Sequence, residues 1–435
     1  MQPVFYKSRK MASLLALLFF SISAFAQNHT EVFEVNGLRV ILRQTQKETL
    51  VMGMYYRGGV TNYTAGSAGI ESLALAGVVD CGNRTYSATD FNDQRDEYGL
   101  HLNGEAENDY GVVKLQCITR YANEGWKLFA SAITAPVFEA KKFDLLKQQK
   151  LDELKSGLSS PDARLGRLAV ETAFAGTSYA NNPDGSVENI TRFTCDTVKD
   201  YYYNTLLNKK RMFLVVAGNI SKEDLERKVQ NAFNDIPSKD YTPVSVEAAS
   251  FTRDTYIIEN RPLATNYVCG ILNAPNLNSE DYPAFRIAVS ILYNSLYREI
   301  RLKKRLSYAP SAYMSRGKIS YLTIYASTTQ PQETIKTMYD VVAFVRGSIF
   351  TDETVADIQK SQSLTNMKRQ ESMAAIVDAL GEAEIMGNWK LAENFDDRVS
   401  AVTAKEVQRV FSAYTHNISW SYLGNPSLGQ QAFAQ

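Results

Sequence analysis

The chain is poor in histidine. Only His29, His101 and His416 occur in 435 residues, and no two stand at the spacing that sets a pair of imidazoles on one helix face. A metal centre built on paired histidines is thereby excluded. Cysteine is scarce as well: Cys81, Cys117, Cys195 and Cys269 are widely dispersed and form no CxxC. They are too few to staple a chain of this length, and they are expected as buried thiols. Charge of one sign is not in excess, with 47 Lys+Arg against 47 Asp+Glu, so no overall field draws in nucleic acid. Nucleophile elbow, P-loop and dinucleotide fingerprint are all missing. No apolar run reaches the ~20 residues that a membrane span requires, so stable membrane insertion is not expected.

The one run that comes near, Leu14 to Ile22, has a different meaning. Lys7, Arg9 and Lys10 precede it, and Ala24-Phe25-Ala26 follows it. A basic stretch, an apolar stretch and a small-x-small triplet, in that order, make a cleavable export leader. The sequence therefore predicts a signal peptide over residues 1–26 and a mature chain from Gln27. The remainder, 45% hydrophobic over the whole chain, is long enough for about two or three domains with sizeable cores.

What organises that remainder is a duplication. Phe193-Thr194-Cys195-Asp196-Thr197-Val198 leads into a Tyr-rich helix and then the strand Phe213 to Asn219. Val402-Thr403-Ala404-Lys405-Glu406-Val407 leads into a helix through Tyr414 and then the strand Ser419 to Asn425. Each Thr is placed to cap a helix with an acid in its first turn (Asp196, Glu406), and each strand stops at Gly-Asn. Thr403 follows Thr194 by 209 residues and Gly424 follows Gly218 by 206, so two features recur in one order at one spacing. This predicts two homologous domains, residues 27–236 and 251–435, joined by a linker over 237–250 that begins in the turn-rich stretch Asp235 to Pro243. In the first half, strands are expected over Glu31–Leu42 and Leu50–Tyr56, with a pair across Leu100–Ile118. Helices are expected over Ala68–Val79, Phe138–Gly157 and Thr194–Leu206. Strands and helices in blocks give an α+β fold class.

The same segments carry a family likeness. Tyr56-Arg57-Gly58-Gly59 with its Gly-led helix, Tyr98-Gly99-Leu100-His101-Leu102-Asn103-Gly104 leading to Asp109-Tyr110, the Thr194 to Asn219 stretch, and Leu296-Tyr297-Arg298-Glu299-Ile300-Arg301 through Leu306-Ser307-Tyr308 together resemble the insulinase/pitrilysin (M16) metallopeptidases. The likeness is to the short two-domain branch, similar to mitochondrial processing peptidase subunits. It implies two homologous domains, each an antiparallel sheet packed with helices, facing each other like a clamshell. With the leader, it also implies a bacterial periplasmic location.

Active members of that family carry HxxEH on the first helix, where two His bind zinc and the Glu is the general base. Aligned on Gly69, the His positions here hold Ser72 and Ala76, and the base position holds Leu75. None can ligate zinc or accept a proton. Glu71 lies ~100° round the helix and points elsewhere. Glu153 matches the family's third ligand, but a lone carboxylate holds zinc weakly, and the plain reading is an exposed helix residue. His101 reads as a packing or surface side chain. The resemblance therefore implies a degenerate metal site at Ser72, Leu75, Ala76 and Glu153, with no cofactor on this chain.

The second half keeps what the first has lost. The resemblance assigns Arg301 and Tyr308 to the pair that clamps a substrate backbone and stabilises an oxyanion, as two aimed donors can. Without the resemblance, Arg301 reads as part of a solvated basic face with Arg298, Lys303, Lys304 and Arg305, and Tyr308 as a core-edge tyrosine. The family has Gly-Leu-Ala before the Tyr where this chain has Arg305-Leu306-Ser307, so a different local turn is expected. Asn103 matches a substrate-contacting Asn on an edge strand that could pair with an extended peptide, or the strand is simply sheet. The leading expectation is the non-catalytic half of a heterodimeric zinc peptidase. An HxxEH-bearing partner would hold the zinc, and this chain would bind the peptide substrate through Asn103, Arg301 and Tyr308. The other expectation is a peptide- or protein-binding scaffold with no part in proteolysis.

Overall fold

A computed structural model describes residues 30–246 and 250–434. The predicted leader over residues 1–26 lies outside them, as does His29. The described chain opens with a hairpin, β1 (Thr30–Val35) and β2 (Leu38–Gln44). Its turn is Asn36-Gly37, both residues left-handed at φ 49° and 82°. An Asn-Gly pair is suited to a two-residue hairpin turn, because it tolerates positive φ at both positions. The single strand expected over Glu31–Leu42 is thus corrected to two strands folded on that dipeptide.

With β3 (Thr49–Arg57), β4 (His101–Ala106), β5 (Tyr110–Ile118) and β6 (Met212–Gly218), the hairpin forms a six-stranded sheet in the order β1-β2-β6-β3-β5-β4. A second sheet has the order β7-β11-β8-β10-β9, from β7 (Thr255–Asn260), β8 (Asn266–Asn273), β9 (Ser311–Met314), β10 (Tyr321–Thr328) and β11 (Ser419–Gly424). The fold is α+β as expected, with one refinement. Each sheet is antiparallel except for one parallel pair, β2 with β6 and β7 with β11.

Those two pairs show what the repeated motif builds. β6 lies parallel to β2 and antiparallel to β3, and β11 lies parallel to β7 and antiparallel to β8. The two Thr-to-Gly segments therefore fill one topological slot in each half. Both threonines cap as their sequence suggests. Thr194 Oγ1 accepts from the Thr197 N–H at 3.2 Å, and Thr403 Oγ1 from the Glu406 N–H at 3.3 Å with a reciprocal bond from the Thr403 N–H to the Glu406 carboxylate. The first of these helices is α over Cys195–Tyr201 and loosens into a π-helical turn over Tyr202–Leu206. The other two expected helices run Ile70–Asp80 and Ala140–Ser159.

One face of the first sheet packs on helices of its own half, including Ile70–Asp80 and Ala122–Thr134. Its other face is covered from the second half. Met373, Ile376, Val377 and Leu380 of helix Met373–Ile385 pack on Ile41, Val51, Tyr55, Phe213 and Val215. The exchange is returned by helix Pro161–Ala173, whose Leu165 and Ala169 pack on Cys269, Ile271 and Leu423 of the second sheet. Each buried aliphatic side chain contributes about 1.5–3 kcal/mol, so the exchanged helices bind the halves strongly. Polar contacts fix the register. Glu384, buried, takes Arg39 at 2.9 Å and Arg57 at 2.7 Å, and Arg164 reaches Glu259 at 2.6 Å. Buried Asp109 accepts from the Tyr179 hydroxyl and, at 2.8 Å, from the Lys318 N–H.

All four cysteines are free. Cys81, Cys117 and Cys269 are buried, while Cys195 is half-buried and gives its S–H to the Phe138 carbonyl at 3.1 Å. Burial pushes the Cys117 thiol up to about 11 and Cys269 to about 12, which leaves both inert as nucleophiles near neutrality. Among the described residues no helix is long and apolar enough to cross a membrane.

Candidate functional site

Helix Ile70–Asp80 starts at Gly69, which is left-handed at φ 96°. A Cβ there would stand 2.8 Å from the Gly185 Cα and 2.9 Å from the Asp184 carbonyl, so only glycine lets the helix start against that turn. The close approach brings Asp184 to the helix. Ser72 Oγ donates to Asp184 Oδ1 at 3.0 Å. Lys150 Nζ lies 3.7 Å from the same carboxylate and 3.3 Å from Glu153 Oε2, while Gln149 donates to Glu153 Oε1 at 3.0 Å.

This donor set does not fit zinc. Leu75 is fully buried and has no ligating atom, Ala76 likewise has none, and the Ser72 hydroxyl is turned to Asp184. Both oxygens of Glu153 are already engaged, one of them by an ammonium. Lys150 sets a fixed positive charge between Glu153 and Asp184, where a cation would otherwise have to compete for the same oxygens. Among the described residues, no group of three or more His, Cys, Asp and Glu is arranged to hold a metal ion. The site opens on a cleft of about 940 Å³ whose walls include Lys150, Glu153, Arg164, Arg167, Asp184 and Arg192.

Residues 70–79 of the helix are all buried, as an apolar core helix should be. Glu71 is buried with them, which its sequence context did not announce. Its side chain turns away from Ser72, and Oε2 accepts from the Tyr201 hydroxyl at 2.7 Å and from Asn62 Nδ2 at 2.9 Å. Oε1 has no partner. Burial pushes the carboxyl up to about 7, against the opposing pull of those two hydrogen bonds and of Arg211. The available signal was the Tyr201-Tyr202-Tyr203 run, whose hydroxyls all end on buried or half-buried acceptors.

β4 is the edge of its sheet, bonded only to β5. Asn103 sits exposed on it, with its amide 2.5 Å from Glu105 Oε1, and His101 is exposed on the same strand. Among the described residues the outer side of β4 has no strand partner, and the Leu75 carbonyl of helix Ile70–Asp80 packs closely on Gly104 of this strand.

In the second half, helix Tyr282–Leu296 runs directly into a π-helical turn, Tyr297–Lys303. Here Arg301 and Tyr308 do meet. The Arg301 guanidinium lies 4.1 Å from the Tyr308 ring centroid and 5.0 Å from that of Tyr297. Tyr308 is 79% exposed, so a core-edge role does not apply to it. Among the described residues, no hydrogen bond, ion pair or ring contact joins either side chain to the first half. The turn between them closes through Leu306 N–H to the Ile300 carbonyl at 2.8 Å and Lys304 N–H to the Glu299 carbonyl at 3.0 Å. Arg305 adopts φ 55°, the left-handed conformation that glycine takes freely. An altered turn was expected here. Arginine here takes a backbone conformation that glycine adopts without strain.

Comparison with known proteins agrees with this architecture. The family model "Peptidase M16 inactive domain" matches residues 192–362. Cytochrome b-c1 complex subunit 1 of Rattus norvegicus mitochondria is 23% identical over 264 residues, 59% of this chain and 54% of its own length. The chain thus spans about half the length of the curated relatives it matches. The crystal structure of a peptidase M16 inactive domain from Pseudomonas fluorescens superposes with a TM-score of 0.82 at 17% identity, covering 91% of this chain and 98% of that one. The periplasmic protease PqqL from Escherichia coli gives 0.77 at 14% identity, covering 91% of this chain and 46% of that one.

Proposed function

We propose, on the premise that this chain carries a peptidase M16 inactive domain, that it is the non-catalytic, substrate-binding subunit of a two-part M16-type zinc peptidase. The observation that carries the reading is an asymmetry between corresponding helices. One is sealed, with Ser72, Leu75 and Ala76 where ligands and base would stand. The other ends in Arg301 stacked on an exposed Tyr308. A partner bearing HxxEH supplies zinc and base. This chain supplies a guanidinium and a phenol to the carbonyl oxygen of the bond being cleaved, and the β4 edge with Asn103 to the peptide backbone. PqqL supports a two-unit assembly, since this whole fold accounts for less than half of that protease. Its periplasmic location, with the leader pattern at residues 1–26, favours the bacterial periplasm for this chain.

Co-expression with an HxxEH-bearing chain of the same family tests the reading, with peptide cleavage assayed for each subunit alone and for both. Cleavage by the pair alone, lost on Arg301→Ala and Tyr308→Phe, is expected. Pair activity indifferent to both substitutions overturns it. Metal analysis of this chain alone should return less than about 0.1 equivalent of zinc. The second reading, a scaffold that binds protein without proteolysis, draws on the likeness to a cytochrome b-c1 complex subunit. It predicts stable complexes that survive both substitutions and never cleave.

A further inference from the structure

Two small cavities of about 70 and 350 Å³ adjoin where helices Tyr282–Leu296, Asp352–Gln370 and Met373–Ile385 meet near the β9 edge. They share Tyr282, Arg286, Arg316, Gln362 and Thr365 in their walls, and Arg369 lines the smaller. Three guanidinium groups thus face two joined spaces, against one carboxylate, Glu382. That carboxylate is taken by Arg316 at 3.0 Å. Arg286 and Arg369 have no ion pair among the described residues, and Arg286 lies over the Phe395 ring at 4.8 Å. Burial, then Arg316, disfavours the charge on Arg369, with Arg286 adding to the repulsion and Glu382 and Asp378 opposing it. Gln362 is only 9% exposed. Its Nε2 donates to Ser290 at 3.3 Å, but among the described residues its Oε1 has no donor.

Like charges held together in a partly dry cleft are unfavourable unless an anion completes them, and a buried acceptor without a donor costs about 1–3 kcal/mol. We propose that this cleft binds a small oxyanion, phosphate or carboxylate, that also carries an O–H or N–H donor. Arg286 and Arg369 hold the anionic oxygens through charge-assisted hydrogen bonds, and the donor meets Gln362 Oε1. Phosphate or a small dicarboxylate lies across the two adjoining spaces, with Arg286 lining both and Arg369 reaching it from the smaller. The ligand would also tie Arg286 of helix Tyr282–Leu296 to Gln362 and Arg369 of helix Asp352–Gln370.

Calorimetric titration of the full chain at pH 7.5 and constant ionic strength tests this with inorganic phosphate against sulfate, and malate against succinate. Saturable binding is expected for phosphate or malate, and the tighter of the two identifies the source of the oxyanion. The donor-less analogue should bind at least several-fold more weakly, a preference that Gln362→Leu abolishes. Arg286→Met and Arg369→Met should each weaken binding at least tenfold, while Arg227→Met, a distant loss of one positive charge, leaves it unchanged. No saturable binding to the unsubstituted chain overturns the proposal. So does equal binding by the two cleft variants, or equal weakening by Arg227→Met.

Discussion

The two halves share a strand plan but finish the corresponding helix differently. After β3 the chain forms helix Ile70–Asp80, which stops at Cys81 with residues 70–79 buried. After β8 it forms helix Tyr282–Leu296, which continues into the π-helical turn that carries Arg301 out to Tyr308. A π turn inserts a residue into the helical ladder and re-aims the side chains after it, so the second helix can offer groups that the first keeps inside. The difference teaches that one strand plan can carry a helix that stays inside and a helix that reaches solvent. The first half has core packing at Leu75 and Ala76 and a lysine ion pair at Glu153, while the second has Arg301 against an exposed Tyr308.

The largest effect is expected where the two halves are tied. Glu384 is buried between Arg39 and Arg57, and removing it leaves two guanidinium groups without their carboxylate beside an apolar surface. Glu384→Ala should cost about 3 kcal/mol in chemical denaturation, roughly 1.5 kcal/mol for each of two charge-assisted hydrogen bonds to arginines that stay partly exposed. A loss below about 1 kcal/mol would mean that the exchanged helices alone hold the halves. Next come Arg301→Ala and Tyr308→Phe. Each should lower cleavage by the assembled pair about 10²- to 10³-fold, the scale of one lost oxyanion donor. Melting of the isolated chain should stay almost unchanged, because Tyr308 is mostly in solvent. A large fall in stability would make them structural.

Much of this comparison was legible in the sequence, and its limits have physical causes. The duplication could be read because Thr caps and Gly-Asn strand ends are local signals, set by a few neighbouring backbone groups. Ser72, Leu75 and Ala76 stand out only through the family resemblance aligned on Gly69, and helix spacing adds that Ser72 and Ala76 share a face. The Asn36-Gly37 turn is just as local a signal, yet the alternation of the flanking strands hid the dipeptide. The exchange of helices Pro161–Ala173 and Met373–Ile385 was not readable at all. An apolar helix face does not state which sheet it covers when two similar sheets are present. Lys150 between Glu153 and Asp184 was equally hidden, because contact between residues 150 and 184 depends on the Gly69–Gly185 approach.

Glu71 sharpens the comparison from inside the sealed helix. Its carboxyl is pushed up from an ordinary 4.5 to about 7, so the folded state favours the protonated form. Below about pH 4.5 the folded and unfolded states are both protonated and no penalty arises. As pH rises from there to about 7 the unfolded chain releases its proton first, stability falls, and above pH 7 the penalty is constant. Glu71→Gln keeps an acceptor for Tyr201 and Asn62 and removes the charge. It should stabilise the chain by about 1–3 kcal/mol at pH 8, and the gain should shrink toward zero by about pH 4.5. A gain that does not vary with pH would assign the effect to something other than the proton.

The smallest effect belongs to Arg305, on the turn that presents the exposed pair. At φ 55° its Cβ crowds the following carbonyl, a cost of roughly 1–2 kcal/mol that glycine avoids. Glycine gives part of this back, because its unfolded chain has more freedom to lose, about 0.5–1 kcal/mol. Arg305→Gly should therefore stabilise the chain by about 1 kcal/mol or less, read as a small rise in denaturation midpoint at unchanged slope. The hydrogen bonds from Leu306 and Lys304 that close the turn involve neither the Arg305 side chain nor its N–H, so the pair should keep its place. Pair-dependent cleavage should then be unaffected. A variant that is no more stable, or one that loses cleavage, would show that the Arg305 side chain itself holds Arg301 and Tyr308 in position.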